Sequence, residues 1–197
     1  MRAFRLAPPA FQALTIRFAH RAARIITEAT VSPAFDPKFP PGSDFPRIPV
    51  RALWDTGATG SVVTPKVAAN LKIPPTGIVK MTHAGGTISC STYVIHLALP
   101  NHTAIAGLTV SEMPDQPPDF DIIIGMDVIG IGDLSITHVD GRTCMSFRTP
   151  SLAENDFVKE WNRKAFANVG RNDDCPCGAV DASGRRMKFK DCHRAQV

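Results

Sequence analysis

The chain has 197 residues, 44% hydrophobic and 20% charged, an ordinary globular composition that excludes disorder throughout, a collagen-like repeat and a coiled-coil rod. No apolar run reaches the roughly 18–20 residues that cross a bilayer as a helix, so no integral membrane protein is expected. The formal net charge is +4, unevenly spread: residues 1–30 hold five basic side chains and one acidic, residues 31–158 eight and twelve, and residues 159–197 nine and five. Basic ends around an acidic middle are able to attract nucleic acid or an acidic partner surface, while the first segment reads more simply as a solvated surface with Arg used for packing.

In chain order, residues 12–18 and 24–32 read as strands from their β-branched residues and partial alternation. Five prolines within 33–46 make that segment a loop. Strand character returns at Ile48–Trp54 and stops at Asp55-Thr56-Gly57. Thr64-Pro65 is an N-cap followed by proline at the first helical position, predicting a short helix over 65–72. Residues 78–82 and 87–99 flank Ala84-Gly85-Gly86 and predict a hairpin with a glycine tip. A strand is expected over 104–110, another over 119–124, and a turn or short helix over 126–129. Residues 134–138 and 143–148 form a hairpin across Asp140-Gly141. Phe157, Val158, Trp161 and Ala165 then fall at helical spacing, which predicts a helix over about 151–167. Many short strands in succession make the body all-β, a sandwich or barrel.

The N-terminus lacks a charged segment followed by an apolar run and a small-residue cleavage site, and Pro8-Pro9 breaks any amphipathic helix there. The expected location is cytoplasmic. Cysteine usage agrees: of five cysteines, Cys90 and Cys144 are isolated and read as buried small hydrophobes. Cys175, Cys177 and Cys192 cluster beside His193, which is metal arithmetic and not a disulfide framework. His20, His83, His96, His102 and His138 are dispersed and receive no catalytic or metal role.

Asp55 sits where an apolar strand gives way to a tight turn. Alone, Asp-Thr-Gly is a common turn sequence. Apolar Leu53-Trp54 before it and Val62-Val63 behind it put the carboxylate where core strands converge. Farther on, Ile122-Ile123-Ile124 ends in Gly125, where a missing side chain allows close backbone approach. The blocks Leu53-Trp54-Asp55-Thr56-Gly57-Ala58-Thr59-Gly60-Ser61-Val62-Val63 and Asp121-Ile122-Ile123-Ile124-Gly125-Met126-Asp127-Val128-Ile129 together resemble the retropepsin-like aspartic proteases, single-lobe relatives of pepsin.

That resemblance implies a closed all-β barrel with a flap hairpin carrying Gly85 and Gly86. It implies hydrolysis of a polypeptide substrate by a water held between two carboxyls. It also implies that Thr56 links the two catalytic loops across a dyad and that Gly57 meets the substrate backbone. Only one Asp-Thr-Gly is present, so the second carboxyl is expected from a homodimer. Retroviral members usually carry a pairing Asp and Arg where this chain has Thr59 and Met126; both halves are missing together.

Cys175-Pro176-Cys177-Gly178 and Cys192-His193 supply the Cys₃His set of a closed tetrahedral zinc site. With Arg171-Asn172-Asp173 in front, they resemble the SEC-C motif found at the C-terminus of the bacterial preprotein translocase ATPase, although the loop between the ligand pairs is longer than usual. A structural zinc ion is therefore expected, with no cofactor for catalysis. The exposed cations Arg185, Arg186, Lys188 and Lys190 on one loop suit an acidic protein surface or ribosomal RNA, and the resemblance implies a protein partner over RNA.

The expected domains are 12–150 for the protease, 151–168 for a connecting helix and 169–197 for the zinc module. A rival reading keeps the barrel as a non-catalytic dimeric adaptor that binds partners through the zinc module.

Overall fold

A computed structural model describes residues 12–36, 38–39, 41–83, 85–100 and 103–193. Arg2, Arg5, the Pro8-Pro9 pair, Ala84 and His102 lie outside the described residues. The chain divides after Leu152 into two compact units. The first contains strands β1 (Gln12–Arg17), β2 (Ile25–Pro33), β3 (Ile48–Trp54) and β4 (Val62–Val63), then helix α1 (Pro65–Leu71). There follow β5 (Gly77–His83), β6 (Gly86–Ala98), β7 (Ala104–Glu112) and β8 (Ile122–Ile124), helix α2 (Met126–Ile129), and the hairpin β9 (Asp133–Val139) and β10 (Arg142–Thr149).

Seven strands form one sheet in the order β2-β3-β8-β4-β7-β6-β5, and β2 also pairs with β6. That extra pairing, running from Thr30↔Ala98 to Pro33↔Ile95, joins the ends of a six-strand ring and closes it. Strand β5 hangs outside the ring on β6 as a free hairpin arm. A second sheet, β1-β10-β9, is antiparallel throughout. The fold is the all-β closed barrel with a hairpin arm that the sequence predicts.

Alternation explains why these segments are strands. Val50, Ala52 and Trp54 on β3 and Val31 on β2 face the core, with Ile95 and Leu97 on β6 fully buried beside them. On β8, Ile122 and Ile124 are fully buried while Ile123 points to the other face. Trp54 packs against Phe147 at 5.1 Å between ring centroids, and its Nε1–H donates to Thr27 Oγ1 at 2.9 Å, so its polar atom is satisfied inside the core. Helix α1 starts as predicted, with the Thr64 hydroxyl accepting from the Val67 N–H. It ends one residue earlier than expected because Lys72 is left-handed (φ 53°) and Pro74-Pro75 follow.

The predicted strand over 119–124 shortens to three residues for a clear reason. Asp121 is a clamp: its N–H donates to the Arg51 carbonyl, its carboxylate accepts the Arg51 N–H, and its carbonyl accepts from Thr64. The proline-rich segment is a loop, as predicted, and it is anchored. Phe35 stacks edge-on against Phe45 and His96. The Gly107 N–H donates to His96 Nδ1 at 2.9 Å, and His96 Nε2 meets the Phe35 backbone, 3.0 Å from its nitrogen and 2.7 Å from its carbonyl oxygen. His96 is a structural strut.

Asp133 holds the end of the barrel. Its carboxylate accepts from the Arg148 guanidinium at 2.7 Å, from the Leu152 N–H at 2.9 Å and from the Ser151 hydroxyl. The Leu152 N–H, then Ser151 and Arg148, hold this carboxyl far below the usual carboxylate range. A carboxyl depressed in the fold stabilises it at every pH above its unfolded value, and that gain is lost as pH falls through the folded value. Asp133→Asn is therefore expected to lower the melting temperature by a few degrees at pH 7. The deficit should narrow steadily below about pH 4, as followed by thermal melts across pH.

The second unit contains helix α3 (Phe157–Ala165) and the short helix α4 (Phe189–Cys192). Helix α3 is shorter than the predicted 151–167 because Asp156 caps it, accepting the Lys159 N–H at 2.9 Å, while Ser151 and Leu152 are taken up by Asp133. Among the described residues, no helix is long and apolar enough to cross a membrane.

Candidate active site and metal centre

Parallel pairing of β3 with β8 (Leu53↔Ile123, Trp54↔Ile124) and antiparallel pairing of β8 with β4 (Val62↔Ile123) bring both sequence blocks to one end of the ring. Asp55 continues β3 by one bond, its N–H donating to the Ile124 carbonyl at 3.0 Å. The turn then closes with the Ala58 N–H on the Asp55 carbonyl, and the Gly57 N–H donates to Asp55 Oδ1 at 2.8 Å. The carboxylate is half-buried, and Thr56 and Gly57 are exposed beside it. Among the described residues the Thr56 hydroxyl has no hydrogen-bond partner within the chain.

Gly125 answers to its predicted role. A Cβ there would lie 2.6 Å from the Gly60 carbonyl carbon and 2.7 Å from its oxygen, inside any tolerable contact with backbone. The close approach is secured by the Met126 N–H donating to the Ala58 carbonyl at 2.8 Å.

A second fastening escaped the sequence reading. Ser61 is almost fully buried. Its N–H and hydroxyl both donate to the Asp127 carboxylate at 2.8 Å, and its Oγ accepts the Gly125 N–H at 3.1 Å. Asp127 also accepts the Val128 N–H. This relay ties the loop after Asp55 to the loop after β8. The available signal was a serine between apolar neighbours and an acid two residues past the Gly125 turn. Asp127→Ala leaves two buried Ser61 donors unpaired and is expected to cost about 1–3 kcal/mol. Asp127→Asn, which keeps an acceptor, should cost less; denaturant titration measures both.

A cleft of about 690 Å³ opens over Asp55 and reaches β5, with Val62, Ile123, Val79, Lys80 and Met81 among its lining. Strands β5 and β6 form its overhanging arm, and the register places His83 opposite Gly86 at the tip. Gly86 has φ +120°, a conformation side chains rarely adopt. Gly85 lies in the same turn. Thr82 and Thr87 hydroxyls join across the arm at 3.0 Å.

In the second unit the four predicted ligands come together. Cys175, Cys177, Cys192 and His193 present ligand atoms that all lie within 4.8 Å of one another. Cys175 Sγ and Cys192 Sγ are 3.2 and 3.1 Å from His193 Nδ1, and Cys177 Sγ is 3.4 and 3.5 Å from the other two sulfurs. A tetrahedral zinc with Zn–S bonds near 2.3 Å separates its sulfurs by roughly 3.7 Å, so donor set and spacing both suit such an ion. The group could hold a metal ion such as zinc.

Local chemistry explains the arrangement. Gly178 turns the knuckle with φ +78°, and its N–H donates to the Cys175 carbonyl. The Ala179 N–H to the Cys177 sulfur, then the Cys175 thiol, hold the Cys177 thiol below its ordinary value. Burial, then the neighbouring sulfurs, push Cys192 up to about 12.

The extra residues between the ligand pairs are an ordered hairpin and not a loose bulge. Val180 pairs with Arg186, the Cys175 N–H donates to the Met187 carbonyl, and Asp181 caps the turn by accepting from Ser183 and Arg185. Phe189, the first residue of α4, is buried, and Phe166, just past α3, packs against Phe189 and His193 with ring centroids at 5.2 and 5.1 Å. Two sequence expectations change here. Lys188 is spoken for by Asp174 at 2.7 Å, and Lys190 belongs to α4, so the cations do not share one loop. Cys144, expected in the core, is half-buried.

Residues 44–128 match the family model for aspartyl proteases, a segment that holds the Asp55 block, α1, the β5–β6 arm and all but the last residue of the second block. That segment of the first unit is similar to aspartyl proteases. Among solved structures, a retropepsin-like aspartic protease from Rickettsia conorii is 10% identical, with 73% of this chain and 99% of that one covered at a TM-score of 0.46. The EIAV protease, in complex with an inhibitor, is 20% identical over 54% of this chain and 86% of its own, TM-score 0.37. The simian foamy virus protease is 14% identical over 54% and 92%, TM-score 0.35. The protein translocase subunit SecA of Solidesulfovibrio magneticus is 39% identical over 59 residues, 30% of this chain and 6% of that protein's length.

Proposed function

We propose that the chain is an aspartic endopeptidase that works as a homodimer, with Asp55 from each copy forming the catalytic pair. The observation that carries this reading is the half-buried Asp55 carboxylate, held by the Gly57 N–H at the floor of an open cleft. Two carboxyls about 3 Å apart cannot both ionise, so the pair shares one proton. The ionised member takes a proton from a water, which attacks the scissile carbonyl carbon, while the protonated member donates to the carbonyl oxygen. Collapse of the tetrahedral intermediate returns a proton to the leaving nitrogen and restores the pair. Thr56, exposed beside Asp55 without a partner in its own chain, is suited to link the two loops across the dyad. Gly57 offers backbone to the substrate, and the arm carrying Gly85 and Gly86 closes over it.

The metal group has a separate part. Three thiolates and one imidazole fill a tetrahedron and leave no position for a reacting water. Cys175, Cys177, Cys192 and His193 would hold a structural zinc, and the surface it supports, with Arg185 and Arg186 exposed on the hairpin, would recruit a protein partner. A cytoplasmic setting suits reduced thiolates. Cleavage of a peptide library by the full chain, compared with Asp55→Asn, tests the reading. Equal cleavage by both would refute the assigned chemistry.

A further inference from the structure

The cleft over Asp55 is mostly apolar and hydroxylic, with Val62, Val79, Met81 and Ile123 beside Thr109 and Ser111. Its lining holds only two charged side chains, Asp55 on the floor and Lys80 on the overhanging arm. Lys80 faces Ser89 across the β5–β6 ladder, and none of the ion pairs among the described residues includes it. Four acids elsewhere in this unit are engaged: Asp119 with Arg24, Asp133 with Arg148, Asp121 with the Arg51 backbone and Asp127 with Ser61. The arm thus brings one uncompensated cation to the rim of an apolar cleft.

Resting on the endopeptidase reading, we infer that Lys80 is a specificity-determining residue, selecting polypeptides that carry an Asp or Glu close to an apolar residue at the scissile bond. A substrate bound as an extended strand alternates its side chains between faces every residue. It can therefore seat an apolar side chain against Val62 and Ile123 and still offer a neighbouring carboxylate to the arm. When the arm closes, water leaves the cleft and the attraction between that carboxylate and the Lys80 ammonium strengthens. A lysine in the same place would meet a like charge, which costs more than the attraction gains.

The test uses short peptides with a fixed apolar pair at the centre and Glu, Gln or Lys at the flanking positions. They are presented to the full chain and to its Lys80→Gln and Lys80→Glu variants. Wild type should prefer Glu over Lys by about ten-fold in kcat/KM, a ratio worth roughly 1.4 kcal/mol. Lys80→Gln should level the two, and Lys80→Glu should invert them. Ratios within one variant cancel any effect of the substitution on the catalytic pair itself. An unchanged ranking in all three proteins overturns the inference. If wild type cleaves no peptide, the endopeptidase reading fails by itself, and binding of the same peptides to the Asp55→Asn chain decides the role of Lys80. Preferential capture of Glu peptides, reversed by adding Lys80→Glu, sustains it; charge-blind binding ends it.

Discussion

Replacing Asp55 by Asn should reduce peptide cleavage by at least about a thousand-fold, the scale set by losing a positioned acid–base group, while leaving the fold intact. The reason lies in the two jobs this carboxyl performs. Structurally, its Oδ1 accepts the Gly57 N–H at 2.8 Å, and an amide oxygen in the same place still accepts that bond. The backbone bonds of Asp55 to Ile124 and Ala58 do not involve the side chain. Chemically, an amide can neither share a proton with a second carboxyl nor take one from water. Matched thermal melts with absent cleavage are the expected result. Comparable loss of folding would make Asp55 a structural turn residue and favour the adaptor reading. Retained cleavage would move the chemistry elsewhere.

Metal removal should have the second large effect, and it should be confined to residues 153–197. That unit offers a small core: Phe189 and Cys175 are its buried apolar side chains, far too little to offset the ordering of its backbone. Structural zinc in such modules contributes on the order of 10 kcal/mol of apparent folding free energy. A chelator at neutral pH, or Cys192→Ser, should therefore abolish amide protection around Cys175 and Met187 by hydrogen exchange. Protection on β3 and β8 should persist, because Ala52, Ile122 and Ile124 are buried in a separate core. One zinc per chain should leave with the chelator. Because the metal is assigned no chemistry, the stripped chain should still cleave short peptides and lose only substrates delivered by a bound partner. Loss of short-peptide cleavage from a chain with an intact barrel would place the second unit within the active enzyme.

Most of the barrel's strands were legible because their cores announce themselves locally. Alternation marked β2, β3 and β6, the Asp140-Gly141 turn marked the last hairpin, and Thr64-Pro65 marked the start of α1. The two blocks around Asp55 and Gly125 were legible for the same reason: each needs particular residues at fixed local spacing, a turn-forming Asp-Thr-Gly in one and an apolar run stopped by glycine in the other. The cysteines likewise gathered within two short stretches. These are properties of a few consecutive residues, and a linear sequence preserves them.

Tertiary structure decided what depends on partners far apart in the chain. The two-residue strand β4 has no propensity signal of its own and exists because β7 and β8 flank it. The Ser61–Asp127 relay spans 66 residues, and neither member carries a local mark of the other. The 119–121 segment left the ladder because Asp121 found the Arg51 backbone 70 residues away. Helix α3 was cut short when Asp133 captured Ser151 and Leu152. Lys80 looked like any solvated lysine until the β5–β6 arm carried it over the Asp55 cleft. Local patterns settle which residues form strands, turns and ligand sets, since those choices are made by backbone preference and nearest neighbours. Which polar groups satisfy one another, and what surrounds the Asp55 carboxyl, is settled only when closure of the ring brings distant hydrogen-bonding groups within reach.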